Sequence, residues 1–281
     1  MEFQKIKSHV KINVSLKVLK KLKSGLHKIE SLIFFLNLHD VVLIKKTKGK
    51  NHNIKFIGRF SKNISKNNTI TKLLEVLDNK SKLNNQKYLI KIIKNIPQKS
   101  GMGGGSMNAA SVLKYLIKNQ NLKINSEEIL DITRQIGSDV IIGMNKENSF
   151  FYINGIMKKI NRNYNLFTLL IMPNFGCSTK EIYKGINKFS KSDIKNKKIN
   201  LNKNFLAKLR NDLEEPAFKK YPVLKRIKYF MEKIEKILFV RMTGSGSTII
   251  GYFNSKKAAL NAKKILKKKY KYYWCILSKT I

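Results

Sequence analysis

The most constraining feature of this sequence is a cluster of glycines between two apolar segments. The stretch IPQKSGMGGGSMNAASVLKYLI, which begins at Ile96, carries glycine at positions 101, 103, 104 and 105. Glycine is entropically costly, but it tolerates positive φ and lets the backbone approach a ligand closely. Just before a helix, such a loop directs free N–H groups outward at the positive end of the helix dipole. The cluster therefore predicts an anion site, and polyphosphate is the commonest biological occupant.

Neither of the two common phosphate-loop motifs fits this cluster. The chain contains no G-x-x-x-x-G-K-[ST] segment, and Ser106 stands where a G-x-G-x-x-G motif would have its last glycine. The alternative interpretation is structural, namely a flexible or tight turn from a strand to a helix. Four glycines followed by Ser106 favour the anion site over that alternative.

The net charge of +41 suggests a different hypothesis, nucleic-acid binding. Three features argue against it. Only six of the 58 basic residues are arginine, the usual base reader. The lysines are spread along the whole chain, and Lys, Asn and Ile, all abundant here, share A/T-rich codons. We therefore expect no nucleic-acid partner.

Length and apolar content indicate a chain with a substantial core. The 281 residues, 42% of them hydrophobic, suit one large domain or two modest ones. No run of about eighteen apolar residues appears, so we expect no membrane span. The N-terminus lacks the apolar core of a signal peptide, and Cys177 and Cys275 match no metal spacing. We expect a cytoplasmic protein with two buried, reduced thiols.

Capping signals and apolar spacing outline the first half of the chain. Residues 6–18, 29–38 and 40–47 predict three strands, and a further strand precedes Pro97. The segment TITKLLEVLDN predicts a helix with Asn68 as its N-cap. A helix follows the glycine cluster. INSEEILDITRQIG predicts another, capped by Asn125 or Ser126 with Glu128 placed for a capping box, and ending at Gly137.

The second half follows the order β–α–β–β–α–β, which is typical of a ferredoxin-like α+β sandwich. Its helical segments include TKEIYKGINKF and FLAKLRNDLEEPAF, and TGSGS predicts a glycine turn between two strands. We expect the low-complexity segment KSDIKNKKINLNKN to be a solvated loop. A boundary near residues 155–165 divides the chain into predicted domains 1–158 and 159–281.

Two charged residues stand out because they lie beside predicted core segments. Asp139 lies just past a helix end at GSDV, where the chain re-enters the core, and a carboxylate there needs a cationic partner to stay ionised. Lys11 is a lone lysine among apolar residues in HVKINVSL and is the natural partner. From the sequence alone, Lys11 also fits an edge-strand surface lysine, and Asp139 a turn carboxylate.

The motif P-x-x-x-G-M-G-G-G-S-x-N-A-A resembles the phosphate loop of the GHMP kinase superfamily, P-x-x-x-G-L-G-S/G-S-S-A/N-A. The resemblance runs along the whole chain: SHVKINVSLKV is similar to the family's P-A-K-I-N-L-x-L, IGSDVIIGM to L-G-A-D-V-P-F-F, and RMTGSGSTIIGYF to x-M-S-G-S-G-x-x-x-F-x-x-F. Within the superfamily, the triple glycine resembles the loop of the kinases that phosphorylate a cytidyl-linked methylerythritol in the non-mevalonate isoprenoid route. The chain departs from the family pattern at Val10, Leu26, Met102, Met107 and Ile141.

The resemblance implies an ATP-dependent kinase with a two-domain GHMP fold. That fold is α+β, with an N-terminal ribosomal-protein-S5-like α/β domain that carries the phosphate loop and a C-terminal ferredoxin-like domain. It implies that Asp139 takes the acceptor hydroxyl's proton, while Lys11 makes that hydroxyl more acidic or steadies developing charge. It also implies Mg²⁺, carried by ATP, with Ser106 as the one protein ligand considered. The residues implied for ATP binding are Pro97, Gly101, Met102, Gly103, Gly104, Gly105, Ser106, Asn108 and Asn68.

The resemblance further implies how a cytidyl substrate is bound. His27 would hydrogen-bond the cytosine ring, Tyr183 would stack on it, and Asn13 would fix the erythritol end. The turn at Gly244 and Gly246 would lie near substrate phosphates. From residues alone, His27 fits a structural histidine and Tyr183 a core aromatic. Leu26 replaces a family tyrosine that is expected to border the base.

Three alternatives stay open at this point. The chain could be a mevalonate, homoserine or other sugar-alcohol kinase of the same superfamily, a basic nucleic-acid-binding protein, or an inactive relative. His27 with Tyr183 distinguishes a cytidyl substrate from those of the other kinases, and strongly salt-dependent binding to any polyanion would mark a nucleic-acid-binding protein. We expect the partners to be ATP and a small molecule, with no membrane, and the protein to be a monomer or weak homodimer.

Overall fold

The computed structural model of the chain describes residues 2–120, 122–152, 157–160, 164–192 and 202–281. In these ranges the strands are β1 Gln4–Lys21, β2 His27–Thr47, β3 Asn53–Ile57, β4 Lys87–Ile93, β5 Ser149–Tyr152, β6 Met157–Lys159, β7 Phe167–Met172, β8 Ile237–Met242, β9 Ile249–Phe253 and β10 Trp274–Lys279. The helices are α1 Thr69–Asn79, α2 Gly104–Asn119, α3 Ser126–Ile136, α4 Val140–Asn145, α5 Thr179–Lys184, α6 Lys203–Lys208, α7 Glu214–Lys220, α8 Pro222–Glu232 and α9 Lys256–Lys269.

The chain forms two compact units, each assembled from separated segments. Unit 1 comprises Met1–Lys11, Leu38–Gln98 and Gly103–Lys146, and unit 2 comprises Ile12–Asn37, Lys99–Met102 and Glu147–Ile281. The long strands β1 and β2 each contribute to both units. The division into domains 1–158 and 159–281 stays a prediction, because the units are defined by contacts and not by one cut in the chain.

Unit 1 is a sheet covered by helices. β4 lies between β3, which runs parallel to it, and the second half of β2, which runs antiparallel. Alternate residues of β4 are buried, as the period of a strand requires when one face packs on helices. Its core joins this face to the apolar sides of α1, α2 and α3 through Ile90, Leu73, Leu113 and Ile132.

The capping signals of unit 1 are confirmed. The side chain of Asn68 accepts hydrogen bonds from the N–H groups of Ile70 and Thr71. Asn125 and Glu128 form a reciprocal capping box at the start of α3, which ends at Gly137. These caps satisfy backbone donors that a helix end would otherwise leave unpaired.

The prediction of two strands over residues 29–38 and 40–47 is wrong, because β2 continues through both. The predicted break fell at His39, between the two apolar runs. Asp40 is instead fully buried, and backbone and side-chain donors satisfy its carboxylate. A buried charge with such partners does not interrupt a strand.

Unit 2 contains an antiparallel sheet of four strands in the order β10–β7–β9–β8. With α9 between β9 and β10 and helices α5–α8 between β7 and β8, this is the predicted ferredoxin-like arrangement, which is confirmed. Its core includes Leu169, Ile171, Leu224, Val240 and Leu266. The first half of β2 pairs with β5 in the same unit, and β5 pairs with β6.

The helices between β7 and β8 are shorter than predicted. TKEIYKGINKF forms a helix only at Thr179–Lys184, and FLAKLRNDLEEPAF divides into α6 and α7. The division lies at Asn211, whose side-chain oxygen accepts from the Leu213 N–H while Asp212 N–H donates to the Leu16 carbonyl. These long-range bonds compete with helical ones. Most of the low-complexity segment predicted as a loop, residues 193–201, lies outside the described residues.

Both cysteines are free thiols. Cys177 is buried as expected, whereas Cys275 is only partly buried, and burial raises the pKa of each thiol to about 11. In the described part of the chain, no helix is long and apolar enough to cross a membrane.

Candidate active site

The glycine cluster forms the start of α2 in unit 1. Gly103 is the N-cap residue, with φ of 66° in the left-handed region, and no side chain caps the helix. The first turn contains no acidic residue. The leading N–H groups of a helix of 16 residues therefore keep their capacity to bind an anion, which the helix dipole also favours.

Gly103 also lies against the two candidate catalytic side chains. A Cβ on Gly103 would lie 3.0 Å from Cε of Lys11 and 3.4 Å from Oδ2 of Asp139. Only glycine combines the positive φ with so close an approach. The start of the phosphate loop helix, Lys11 and Asp139 therefore meet at one point in unit 1.

Lys11 and Asp139 form an ion pair, with 3.0 Å between Nζ and Oδ2. Lys11 is 4% exposed, so the alternative of a surface lysine is excluded. Asp139 follows the end of α3 and is the N-cap residue of α4, yet its carboxylate makes no capping bond. Its side chain is 33% exposed, so a lysine orients the carboxylate while solvent or a substrate reaches it.

The remaining predicted ATP-binding residues of unit 1 surround the same helix start. Gly105 is exposed and Ser106 half-buried, while Pro97 is buried. The hydroxyl of Thr69, the first residue of α1, donates to the Gly105 carbonyl at 2.8 Å. The amide of Asn68 caps α1 and also donates to the carbonyls of Ser65 and Lys66.

A buried polar network that the sequence analysis missed lies beneath the loop. The carboxylate of Asp40 accepts hydrogen bonds from the N–H groups of Asn95 and Ile96 and from the side chains of Lys94 and Asn108. Asn108 was predicted to bind ATP, but its amide donates to Asp40 and is buried. The one sequence signal was an acidic residue between two apolar runs, separated from FFLNL by His39 and followed directly by VVLI.

In unit 2, the rings of His27 and Tyr183, the two residues predicted to bind the cytosine, lie next to each other. Their ring centroids are 5.0 Å apart, with planes inclined by 30°. Burial, and next the nearby Lys21, lower the pKa of His27, so the ring is neutral near pH 7 and offers one donor and one acceptor. The preceding Leu26, which stands where the family has a tyrosine, is 67% exposed.

The predicted glycine turn of unit 2 is held by several polar contacts. Gly244 and Gly246 both adopt positive φ. The amide of Asn211 donates to the carbonyls of Met242 and Gly244, a supporting role the sequence analysis missed. The hydroxyl of Thr243 accepts from the Asn13 N–H and donates to the Gly101 carbonyl.

Gly101, Met102 and Asn13 occupy tightly packed positions in unit 2. A Cβ on Gly101 would lie 2.1 Å from the Thr243 carbonyl oxygen, so no larger residue fits there. Met102 is fully buried. The Asn13 side chain donates to the Ser31 hydroxyl at 2.7 Å, which fixes its amide.

The start of α2 offers groups that fit a magnesium ion carried by ATP. Within the described ranges, no cluster of three or more His, Cys, Asp or Glu side chains forms a metal site. The N-terminus of α2 instead offers backbone N–H donors and the Ser106 hydroxyl. Magnesium commonly keeps several waters and binds through substrate phosphates with few protein ligands.

Comparisons with known proteins agree with this geometry. The family model for the GHMP kinases N terminal domain matches residues 68–153, and that for GHMP kinases C terminal matches residues 158–271. The chain is 52% identical over 278 residues to a 4-diphosphocytidyl-2-C-methyl-D-erythritol kinase of Pelagibacter ubique, which covers 99% of each chain.

Solved structures show the same fold. A 4-(cytidine 5'-diphospho)-2C-methyl-D-erythritol kinase structure superimposes with a TM-score of 0.78 at 20% identity, covering 98% of this chain and 99% of the other. The mevalonate kinase of Methanococcus jannaschii superimposes with a TM-score of 0.66 at 17% identity, covering 99% and 98%. At these identities the structures speak for the fold alone, whereas the full-length sequence match identifies the group. The chain therefore belongs to the GHMP kinase family, among the 4-diphosphocytidyl-2-C-methyl-D-erythritol kinases.

Proposed function

We infer that the chain transfers the γ-phosphoryl group of ATP to the 2-hydroxyl of 4-diphosphocytidyl-2-C-methyl-D-erythritol. The products are the 2-phosphate and ADP, in the non-mevalonate route to isopentenyl diphosphate. The observation that carries this inference is the 52% identity to a kinase of that name along the full chain. The Lys11–Asp139 pair beside Gly103 supports it with suitable chemistry.

ATP would bind with its phosphates at the start of α2. The N–H groups of Gly103, Gly104 and Gly105 are the donors for the triphosphate oxygens, and the dipole of α2 favours their charge. Ser106 would supply a hydroxyl to the same group or to its magnesium ion. Bound magnesium supplies further neutralisation of the β- and γ-phosphate charge.

Asp139 would act as the base. Its free carboxylate oxygen accepts the proton of the acceptor hydroxyl, the resulting oxygen forms a bond to the γ-phosphorus, and the bond from that phosphorus to the β-bridging oxygen breaks. ADP leaves with that electron pair. Lys11 holds the carboxylate in one orientation and its positive charge stabilises the oxygen as it loses the proton.

The cytidyl end would be recognised by His27 and Tyr183. The neutral His27 ring can hydrogen-bond the cytosine edge, and Tyr183 presents a face for stacking, which is worth about 1–3 kcal/mol per base. Asn13 would orient the erythritol end. The turn at Gly244 and Gly246 would face the substrate diphosphate.

An acceptor panel tests this function. The purified protein is given ATP with the cytidyl-linked methylerythritol, mevalonate or homoserine in separate reactions, and ADP formation is measured. We expect turnover with the cytidyl substrate alone. Turnover with mevalonate or homoserine instead would assign another GHMP activity, and no turnover with any acceptor would indicate an inactive relative.

We further infer a cytoplasmic enzyme that works as a monomer or weak homodimer. ATP is a cytoplasmic metabolite, and both thiols of the chain are free. The partners of the reaction are small molecules, and we assign no nucleic-acid partner to the positive charge.

A further inference from the structure

We propose that Asp40 is a positioning residue for the phosphate loop, acting through the backbone of residues 95 and 96 and through Asn108. One buried carboxylate binds the chain on both sides of the loop and so holds the start of α2 ready for ATP. This proposal deepens the proposed function and rests on it.

One oxygen of Asp40 accepts from the backbone and the other accepts from side chains. Oδ1 accepts the N–H of Asn95 at 2.8 Å and the N–H of Ile96 at 3.0 Å. Oδ2 accepts the amide of Asn108 at 2.9 Å and the ammonium of Lys94. Asp40 is fully buried, so bulk water does not compete with these donors for its oxygens.

These contacts lie on both flanks of the loop. Asn95 and Ile96 directly precede Pro97, where the loop begins, and Asn108 lies in the second turn of α2. The glycine-rich segment between them would otherwise have many conformations of similar energy. Binding both flanks to one rigid carboxylate reduces the ordering that ATP binding must supply, which strengthens binding without any contact to the ligand.

The charge arrangement fits a positioning role. Lys94 is 4% exposed and balances Asp40, and its Nζ lies 3.6 Å from the place a Cβ on Gly104 would occupy. A buried ion pair is weak evidence for stability, because desolvation offsets its attraction. Among the described residues, Oδ1 of the buried Asn108 has no hydrogen-bond partner. Burying an amide oxygen without a donor costs free energy, and an apolar residue at this position would avoid that cost. The presence of Asn108 is therefore better explained by the bond that its amide donates to Asp40.

Binding of MgATP to Asp40→Asn tests the proposal. The asparagine can still accept the two backbone N–H groups through its oxygen, but its NH₂ group faces the donors of Lys94 and Asn108. We expect the dissociation constant for MgATP, measured by calorimetry, to rise roughly ten- to hundredfold. The dissociation constant for CDP, a probe of the cytidyl site, is expected to stay unchanged.

Asp78→Asn is the matched control. Asp78 also binds side chains of unit 1, through a hydrogen bond from His52 and an ion pair with Lys87, but Lys87 is at the opposite end of β4 from Lys94. We expect this variant to lower the melting temperature and leave the MgATP constant unchanged. If both variants weakened MgATP binding in proportion to lost stability, Asp40 would have only a structural role and the proposal would be overturned.

Asn108 provides a second, milder test should Asp40→Asn not fold. Asn108→Ala removes one bond to Asp40 and is expected to weaken MgATP binding about tenfold. The double variant Asp40→Asn/Asn108→Asp restores a donor–acceptor pair with the roles exchanged, and we expect it to bind MgATP more tightly than Asp40→Asn. Wild-type MgATP affinity in folded Asn108→Ala would refute the proposal. Because these assays need no acceptor, a failure of the acceptor panel would leave them interpretable.

Discussion

At the scale of residues, burial separates the interpretations that the sequence left open for Lys11. In a chain with 58 basic residues, one more lysine on a strand carries little information. Lys11 is nevertheless buried and paired with Asp139, and a buried charge is retained only with such a partner. The sequence signal for a functional Lys11 was a lone lysine within an apolar run. That Asp139 is its partner could be inferred only from the need of a carboxylate for a cation and from the family resemblance.

The first prediction treats Asp139 and Lys11 as one catalytic unit. Asp139→Asn keeps size and polarity but removes the base, so turnover is expected to fall about 10²–10⁴-fold. The KM for ATP should barely change, because the start of α2 holds the nucleotide. Lys11→Met should give a similar loss, and the double variant should cost little more than either single one, since both act on the same proton.

Steady-state kinetics on the four proteins decide this prediction. Asp131→Asn is the control, because Asp131 also pairs with a lysine, Lys80, but on the exposed surface of α3. It should retain wild-type turnover. Fully additive losses in the double variant would show that the two residues act separately, and near-wild-type turnover of Asp139→Asn would remove it as the base.

The second prediction concerns the exposed Leu26 beside His27. A tyrosine there would offer an aromatic face to the base on the side opposite a stacked Tyr183. Leu26→Tyr should therefore lower the KM for the cytidyl substrate without raising turnover, because ground and transition states gain equally. Leu260→Tyr, at another exposed leucine, on α9, should change neither constant. A raised KM in Leu26→Tyr would mean that leucine packs the base better, or that the base lies elsewhere.

At the scale of elements, local signals predicted more than distant ones. The cap at Asn68, the box of Asn125 and Glu128, and the end at Gly137 depend on residues within one helical turn, and all are confirmed. The continuity of β2 depends on donors more than 50 positions from Asp40, which a single sequence does not reveal. The break between α6 and α7 has the same kind of cause, because Asp212 bonds to Leu16.

The third prediction tests the start of α2 as the ATP site. Gly103→Ala places a side chain at φ of 66° and within 3.0 Å of Lys11 Cε. We expect the dissociation constant for MgATP to rise about tenfold or more, given a cost of about 1–2 kcal/mol for an L-residue in this conformation. Gly49→Ala is the control, since a Cβ there meets only ordinary contacts. Unchanged MgATP affinity in a folded Gly103→Ala would place the nucleotide elsewhere.

At the scale of the whole molecule, the resemblance to a known family reached further than the residue patterns. The order of elements predicted the ferredoxin-like sheet. This was possible because the apolar patterns of strands and the caps of helices depend on residues close together in the sequence. The assembly of each unit from separated chain segments was not predicted. It arises because β1 and β2 are each divided between the two units, β1 after Lys11 and β2 after Asn37. The supporting residues Asp40 and Asn211 were missed for the same reason, as their partners are far away in sequence.

The last prediction is that the net charge of +41 has no nucleic-acid target. The seven lysines within α9, at positions 256, 257, 263, 264, 267, 268 and 269, form part of this charge, and none of them is a residue of the proposed site. Lysines on a surface attract any polyanion by releasing its counterions, so RNA affinity should fall steeply with salt and ignore base sequence. We expect poly(A) and poly(U) to bind alike at low salt, measured by fluorescence anisotropy, and to dissociate at moderate salt. Replacing Lys263, Lys264, Lys267 and Lys268 by glutamine should weaken both interactions equally while kinase turnover stays unchanged. Binding that persists at high salt, or that prefers one RNA sequence, would instead show that the charge serves a nucleic-acid partner.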